Sequence, residues 1–294
     1  MTRQFRALTV LVLVLLTVTA TTLSACSRRS DDGQIKLGVV DIGQPHWKVF
    51  TQVAAEHGFH VRLVSFADYD QPNPALAEST IDLNQFQHVR YLANYNVHNK
   101  TQLTPVGATQ IYPLKLYSKR WHATAEIPRG GHVALSNNPA NQIRPLLSLE
   151  AAGLVTFRGG AGNWQSTLAD VDRERSKVQL TTLDPTQIGP SLDSVDAGFV
   201  DDTFAVKLGL TDKDTIYTDD PDRPDLAQYV NIFAARAGDP RRTDLERLAA
   251  LYHDERVHTA VLAEAGDAAV FRETSAAELR KTLAQVEQVL RAAK

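Results

Sequence analysis

Two stretches of this chain hold the side chains best suited to gripping another molecule. In F-A-D-Y-D-Q-P-N, residues 66–73, and I-D-L-N-Q-F-Q-H-V-R-Y-L, residues 81–92, aromatic and polar groups gather just after strand-like segments. The ends of strands in open α/β sheets are where ligands bind. Tyr69, Phe86, His88 and Tyr91 can together surround an apolar or thioether group, because aromatic faces and edges make favourable contacts with polarizable sulfur. Ordinary core packing of the same rings is the competing reading. In S-N-N-P-A-N-Q-I-R, residues 136–144, Asn138 can cap a helix that begins at Pro139, and Asn141 and Arg144, three apart, then share a face. A helix start beside a guanidinium is a good carboxylate receptor, since free N–H groups and a bidentate fork both point at the anion. A solvated surface arginine is the alternative there.

Signatures of catalysis are missing: there is no G-x-S-x-G elbow, no Walker phosphate loop, no H-E-x-x-H and no second cysteine. The chain is therefore expected not to be an enzyme and to use no cofactor. Its nine histidines show no H-x-H or repeated i, i+4 pair, so a metal site built on His46, His60, His88 or His132 needs long-range assembly, and none is expected. Acidic residues, 34 in all, outnumber the 31 basic ones, and this excludes nucleic acid as a partner.

The N-terminus addresses the chain for export. Arg3 and Arg6 precede an apolar run from Ala7 to Leu16, which is shorter than the roughly 20 residues a membrane span wants. It ends in Leu23-Ser24-Ala25-Cys26, and Cys26 is the only cysteine. L-S-A-C resembles the bacterial lipobox, which implies a signal peptide over residues 1–25, a lipid on Cys26 and a polar tether over 26–34. Two acyl chains give stable anchoring. The expected location is the extracytoplasmic face of the cell membrane.

Positioning elements can be read from residue 35 onward, and the remainder is long enough for two modest domains. Ile35 to Val40 reads as a buried strand. Pro45 opens a helix with Trp47, Phe50, Val53 and Ala54 on one face and Gly58 at its end. His60 to Phe66, Leu83 to Phe86 and Leu103 to Ile111 follow as strands, with a helix around 91–97. The succession implies βαβ units. A second α/β set runs from His132–Leu135 through a helix at 141–152 to a strand at 195–200. Asp239 with Pro240 can open a helix striped by Leu245, Leu248 and Leu251. Ser275 and Glu278 have capping-box spacing before Leu279, Leu283, Val286 and Leu290. Packing onto the body of the fold and binding a partner coil are both open to that last helix.

The chain resembles the D-methionine-binding lipoproteins of ABC importers, the group that includes the NlpA lipoproteins. The resemblance runs from about residue 35 to 255. It is carried by D-Y-D-Q-P-N-P-A-L, D-L-N-Q-F-Q-H-V-R-Y-L, V-G-A-T-Q-I-Y-P-L-K-L-Y-S, S-N-N-P-A-N-Q-I-R, S-L-D-S-V-D-A and Y-V-N-I. It implies an α/β, two-lobed periplasmic-binding-protein fold of type II, with mixed, mainly parallel sheets and a hinge. Lobe 1 is then 35–115 with 229–294, and lobe 2 is 116–228. It further implies a monomer that binds a methionine-like amino acid and delivers it to an ABC permease. Tyr69, Phe86, His88 and Tyr91 match the family's side-chain pocket, Asn141 and Arg144 its carboxylate receptor, and Asn231 a polar contact to the amino-acid backbone. One departure stands out: where the family commonly reads N-G-N-Y, this chain reads Asp201-Asp202-Thr203-Phe204, which puts an acid at the amine contact. The ligand can then be another amino acid or a short peptide. A surface adhesin that kept the fold without transport is the rival from another class.

Overall fold

In the computed structural model the described residues are 33–265 and 269–292. The expected leader, Cys26 and most of the tether lie outside them. Among the described residues no helix is long and apolar enough to cross a membrane.

The chain first lays down β1 (Gln34–Val39), α1 (Pro45–Glu56), β2 (His60–Ser65), α2 (Pro72–Ala77), β3 (Leu83–His88), α3 (Val89–Asn99) and β4 (Leu103–Ala108). A short β5 (Gln110–Ile111) leads into a second set: β6 (Lys115–Tyr117), β7 (His132–Ser136), α4 (Ile143–Ala151), β8 (Gln179–Leu183), α5 (Pro185–Ser191), β9 (Ala197–Phe199), α6 (Asp202–Leu208) and β10 (Thr215–Thr218). The chain then returns through β11 (Asn231–Arg236), α7 (Arg242–Ala250), α8 (Glu255–Ala265), β12 (Val270–Phe271) and α9 (Ala276–Ala292).

Two five-stranded sheets result, ordered β2-β1-β3-β11-β4 and β10-β6-β9-β7-β8, and β12 pairs with β5. Both sheets are mixed. β1 runs parallel to β3, whereas the returning β11 lies antiparallel between β3 and β4. β7 is parallel to β8 and β9, and β6 is antiparallel to β9 and β10. Residues 109–114 and 219–230 are therefore the two segments that pass between the sheets.

Side chains alternate across a strand, and both sheets use the alternation to bury two faces. On β11, Phe233 and Ala235 join Trp47, Phe50, Leu245 and Tyr252 on one side, while Ile232 and Ala234 join Leu92, Leu279 and Leu283 on the other. On β7, Val133 and Leu135 pack with Ile143, Leu146 and Phe157, and Ala134 faces Ile188 and Leu192. Each half is thus a helix–sheet–helix sandwich.

The local readings hold with four corrections. The expected strand 103–111 breaks at Thr109, whose N–H is taken by the Asn231 carbonyl at 2.8 Å and whose carbonyl accepts from the Arg272 N–H. Opposite Pro105, which has no N–H to give, β11 shifts register between Phe233 and Ala234. Asn138 does cap a turn at Pro139, its side chain accepting from the Ala140 N–H at 2.9 Å, but that turn is a 3₁₀ turn ending at Asn141. A continuous helix would drive the Pro145 ring against the Asn141 carbonyl, so α4 restarts at Ile143 with Pro145 in its first turn. Asp239 does not cap α7: it accepts from the Arg241 N–H and pairs with Arg236 and Arg241, and the helix begins at Arg242. The buried stripe of α7 is Leu245, Leu248 and Ala249, because Leu251 already belongs to a following 3₁₀ turn.

The final helix meets its expectation. Ser275 and Glu278 exchange the reciprocal capping bonds, and Leu279, Leu283 and Val286 are buried against α3 and β4.

Candidate functional site

All eight residues singled out in the sequence line one cavity of about 130 Å³. On the same measure a single water needs roughly 10–15 Å³, so the space suits a solute of amino-acid size. Its walls come from strand ends and helix starts in both halves. Phe86 and His88 finish β3, Tyr91 lies in the first turn of α3, and Tyr69 precedes α2. Asn141 ends the 3₁₀ turn, Arg144 lies in the first turn of α4, Asp201 immediately precedes α6 and Asn231 opens β11.

The aromatic wall is tightly made. Tyr69 lies 5.9 Å from Phe86 and 6.4 Å from Tyr91, Phe86 is 5.6 Å edge-on to Tyr91, and Phe204 closes on Tyr69 at 5.3 Å. The Tyr91 hydroxyl donates to the Tyr69 carbonyl at 3.0 Å, which fixes the ring.

His88 is a polar hinge-pin in this wall. Its Nδ1 accepts from the Tyr91 N–H at 3.0 Å, capping α3, so the proton must sit on Nε2, which donates to Asn141 Oδ1 at 3.0 Å. Burial pushes the imidazole down to about 3, with the nearby Arg144 charge adding to the fall against the Asn141 bond. His88 is therefore neutral at physiological pH. Its bond consumes the Asn141 oxygen and leaves the amide nitrogen as that side chain's remaining donor.

Arg144 is buried, at 8% exposure, which removes the solvated-arginine alternative. Its fork, however, is largely occupied. Nε and Nη2 meet the two carboxylate oxygens of Asp219 at 2.7 and 2.8 Å, and Nη2 also donates to the Tyr112 carbonyl at 3.0 Å. Asp219 in turn accepts from the Leu114 N–H at 2.7 Å. Tyr112 and Leu114 lie in one crossing segment and Asp219 in the other, so Arg144 ties both together. Only Nη1 is left outside these bonds, and the Tyr229 ring stacks beneath the guanidinium at 5.3 Å.

Asp201 behaves unusually for a helix cap. An aspartate there ordinarily accepts from an N–H of the first turn, but its carboxylate makes no such bond. Burial raises its pKa to about 6, against the pull of Tyr69 and Arg144. Asp202, also in the wall, is likewise raised to about 6 by burial, opposed by Lys115 and reinforced by Asp201 and Asp41.

A model of the NlpA lipoprotein family matches residues 35–274. The chain belongs to the NlpA lipoprotein family. Relatives include outer membrane lipoprotein 3 of Mannheimia haemolytica, 34% identical over 80% of this chain and 88% of that protein. The D-methionine-binding lipoprotein MetQ of Escherichia coli strain K12 is 33% identical over 78% of this chain and 85% of its own. Among solved structures, the methionine binding protein MetQ matches with a TM-score of 0.76 and 31% identity, covering 83% of this chain and all of that one. A nutrient binding protein from Burkholderia cenocepacia bound to methionine matches with a TM-score of 0.74 and 30% identity, covering 81% and 99%. The two halves joined by two crossing segments make this NlpA lipoprotein a two-lobed α/β fold of the type II periplasmic-binding-protein class.

Sequence reasoning missed several residues of the site in this lipoprotein. Tyr229 lies 4.7 Å from His88 and packs on Trp164. Tyr112, Lys115 and Asp202 also line the cavity, and Asp219 holds Arg144 from outside it. Tyr229 stands at the head of the Y-V-N-I motif, and Tyr112 and Lys115 lie in the I-Y-P-L-K run, so the signal was present in motifs read for other residues. The histidines weighed as metal ligands are dispersed: His46 is paired with Glu264 at 2.7 Å, His60 and His132 are exposed, and His88 serves the cavity wall. Among the described residues no group of three or more His, Cys, Asp or Glu is arranged to hold a metal.

Proposed function

We propose that this NlpA lipoprotein is the capture component of an ABC importer, closing on methionine or a close relative between its two lobes and handing it to a membrane permease without covalent chemistry. The lobes in this reading are 35–115 with 229–294, and 116–228. The chain acts as a monomer tethered through lipid on Cys26 at the extracytoplasmic face of the cell membrane.

The observation that carries the reading is the convergence of aromatic rings, a buried guanidinium and a half-buried carboxylate on one cavity of amino-acid size. Tyr69, Phe86 and Tyr91 take the side chain by shape and polarizability, and His88 holds Asn141 in place. Arg144 Nη1 and the Asn141 amide receive the acid end. Asp201 and Asn231 hold the amine end. Relatives named for methionine binding, one of them solved with methionine bound, support the ligand class.

Isothermal titration calorimetry of the purified protein against a panel of amino acids and dipeptides tests this. A saturable response to methionine or a near relative is expected, weakened at least tenfold by Tyr91→Ala. A panel with no binding partner, or affinity indifferent to that substitution, refutes the assignment.

A further inference from the structure

Of the charges that line the cavity, the two cations are paired and the two carboxylates are not. Arg144 is matched by Asp219 through two bonds, and Lys115 by Asp212 at 2.7 Å. His88 is neutral. Asp201 and Asp202 stand side by side at the start of α6, both lining the cavity, and among the described residues neither has a cation within ion-pair distance. Helix capping does not account for Asp201, since its carboxylate accepts from none of the first-turn N–H groups. A half-buried carboxylate without a cation is costly unless something supplies the missing charge.

The acid end of the site tells the same story from the other side. Arginine prefers carboxylates because its fork gives two parallel bonds. Here Asp219 occupies the fork formed by Nε and Nη2, and Tyr112 takes the other Nη2 hydrogen, leaving the two N–H groups of Nη1. Two N–H groups on one nitrogen cannot make the parallel pair of bonds across a carboxylate, so they serve a neutral carbonyl oxygen as well as a carboxylate oxygen, and a ligand carboxylate would enter a wall that already carries two unmatched negative charges.

We propose that Asp201 and Asp202 make this cavity selective for ligands of net positive charge, namely amino-acid derivatives that keep the α-ammonium and present an amide or ester carbonyl in place of the carboxylate. The proposal rests on the reading that the cavity holds an amino-acid-like solute, and it narrows the chemical class of that solute. The ammonium meets Asp201, the carbonyl meets Arg144 Nη1, and Asp202 supplies the second negative potential that a zwitterion leaves uncompensated.

Calorimetry of the purified protein at neutral pH with three probes of one side chain tests the proposal: methionine, methioninamide and N-acetylmethionine. Methioninamide is expected to bind at least about tenfold tighter than methionine, with N-acetylmethionine not binding, and either Asp201→Asn or Asp202→Asn should cut the amide-to-acid preference by about tenfold. Both substitutions keep size and shape, and circular dichroism verifies folding. Methionine binding as tightly as its amide, or a preference unmoved in both variants, overturns the proposal while leaving amino-acid capture intact. Failure of all three probes overturns both readings.

Discussion

Arg144 has two roles that substitution can separate. It is half of a buried ion pair, with side-chain exposures of 9% for Arg144 and 2% for Asp219, and it is the proposed receptor for the ligand's carbonyl or carboxylate oxygen. Removing one partner of such a pair leaves an uncompensated buried charge, which costs about 3–5 kcal/mol. In a protein of this size each kcal/mol moves the unfolding midpoint by roughly 2–4 °C, so Arg144→Met alone should lower it by roughly 10 °C. Replacing both partners, Arg144→Met with Asp219→Leu, removes the stranded charge. The remaining loss is the Leu114 N–H and the Tyr112 carbonyl, which bond to Asp219 and Arg144, at about 1 kcal/mol each. The double variant should therefore melt well above the single one. Its affinity should not recover, because a charge-assisted bond from Nη1 is worth roughly 1.5–3 kcal/mol, a loss of roughly 10- to 150-fold. Thermal unfolding by circular dichroism and calorimetry with methionine give both readouts. A double variant that binds within threefold of the parent would remove Arg144 from the site. One that melts as low as the single variant would refute the buried-charge account.

Two further outcomes follow from the geometry. The Asp201 carboxyl titrates near 6 in the fold against an ordinary value of 3.8, so the folded chain holds that proton more tightly than the unfolded one. Ionisation then destabilises the fold increasingly as pH rises from about 4 to 6, and Asp201→Asn should raise the melting midpoint by a few degrees at pH 7 and leave it unchanged at pH 4; equal gains at both pH values would show that charge is not the cause. On β4, a Cβ on Gly107 would lie 2.6 Å from the Ala249 Cβ on α7, so Gly107→Ala should cost roughly 1–3 kcal/mol, and Ala249→Gly in the same chain should recover part of it. No recovery in the thermal midpoint would mean the two elements do not meet there.

How much of this was legible depended on whether the determinant was local. The two faces of β11 and β7 follow from alternation within a few residues, and the capping box at Ser275 follows from spacing three apart. The break before α4 was also local: Pro145 forbids an unbroken helix from Pro139, and the helix reading simply did not use it. The split at Thr109 was not, because it depends on Asn231, which arrives in β11 from beyond the whole second sheet.

The same distinction separates the eight cavity residues from Asp219. Six of the eight follow from residue type and spacing within short ordered stretches, and the resemblance added Asn231 and Asp201. Asp219 lies in Asp219-Asp220-Pro221-Asp222, where three carboxylates compete and nothing in the local pattern singles one out. Its neighbour Asp222 pairs with Arg272 and is largely exposed, while Asp219 is buried against Arg144, 75 residues away in sequence. Only folding makes that choice. It also alters what Arg144 can offer, since a residue that reads as an open fork keeps only one nitrogen, Nη1, outside its bonds. Asp201 carries the opposite lesson: its local rule, that aspartate before a helix caps it, was available and the structure declines it. A side chain that gives up a cap worth about 1 kcal/mol to face a cavity is better explained by what enters the cavity than by the helix behind it.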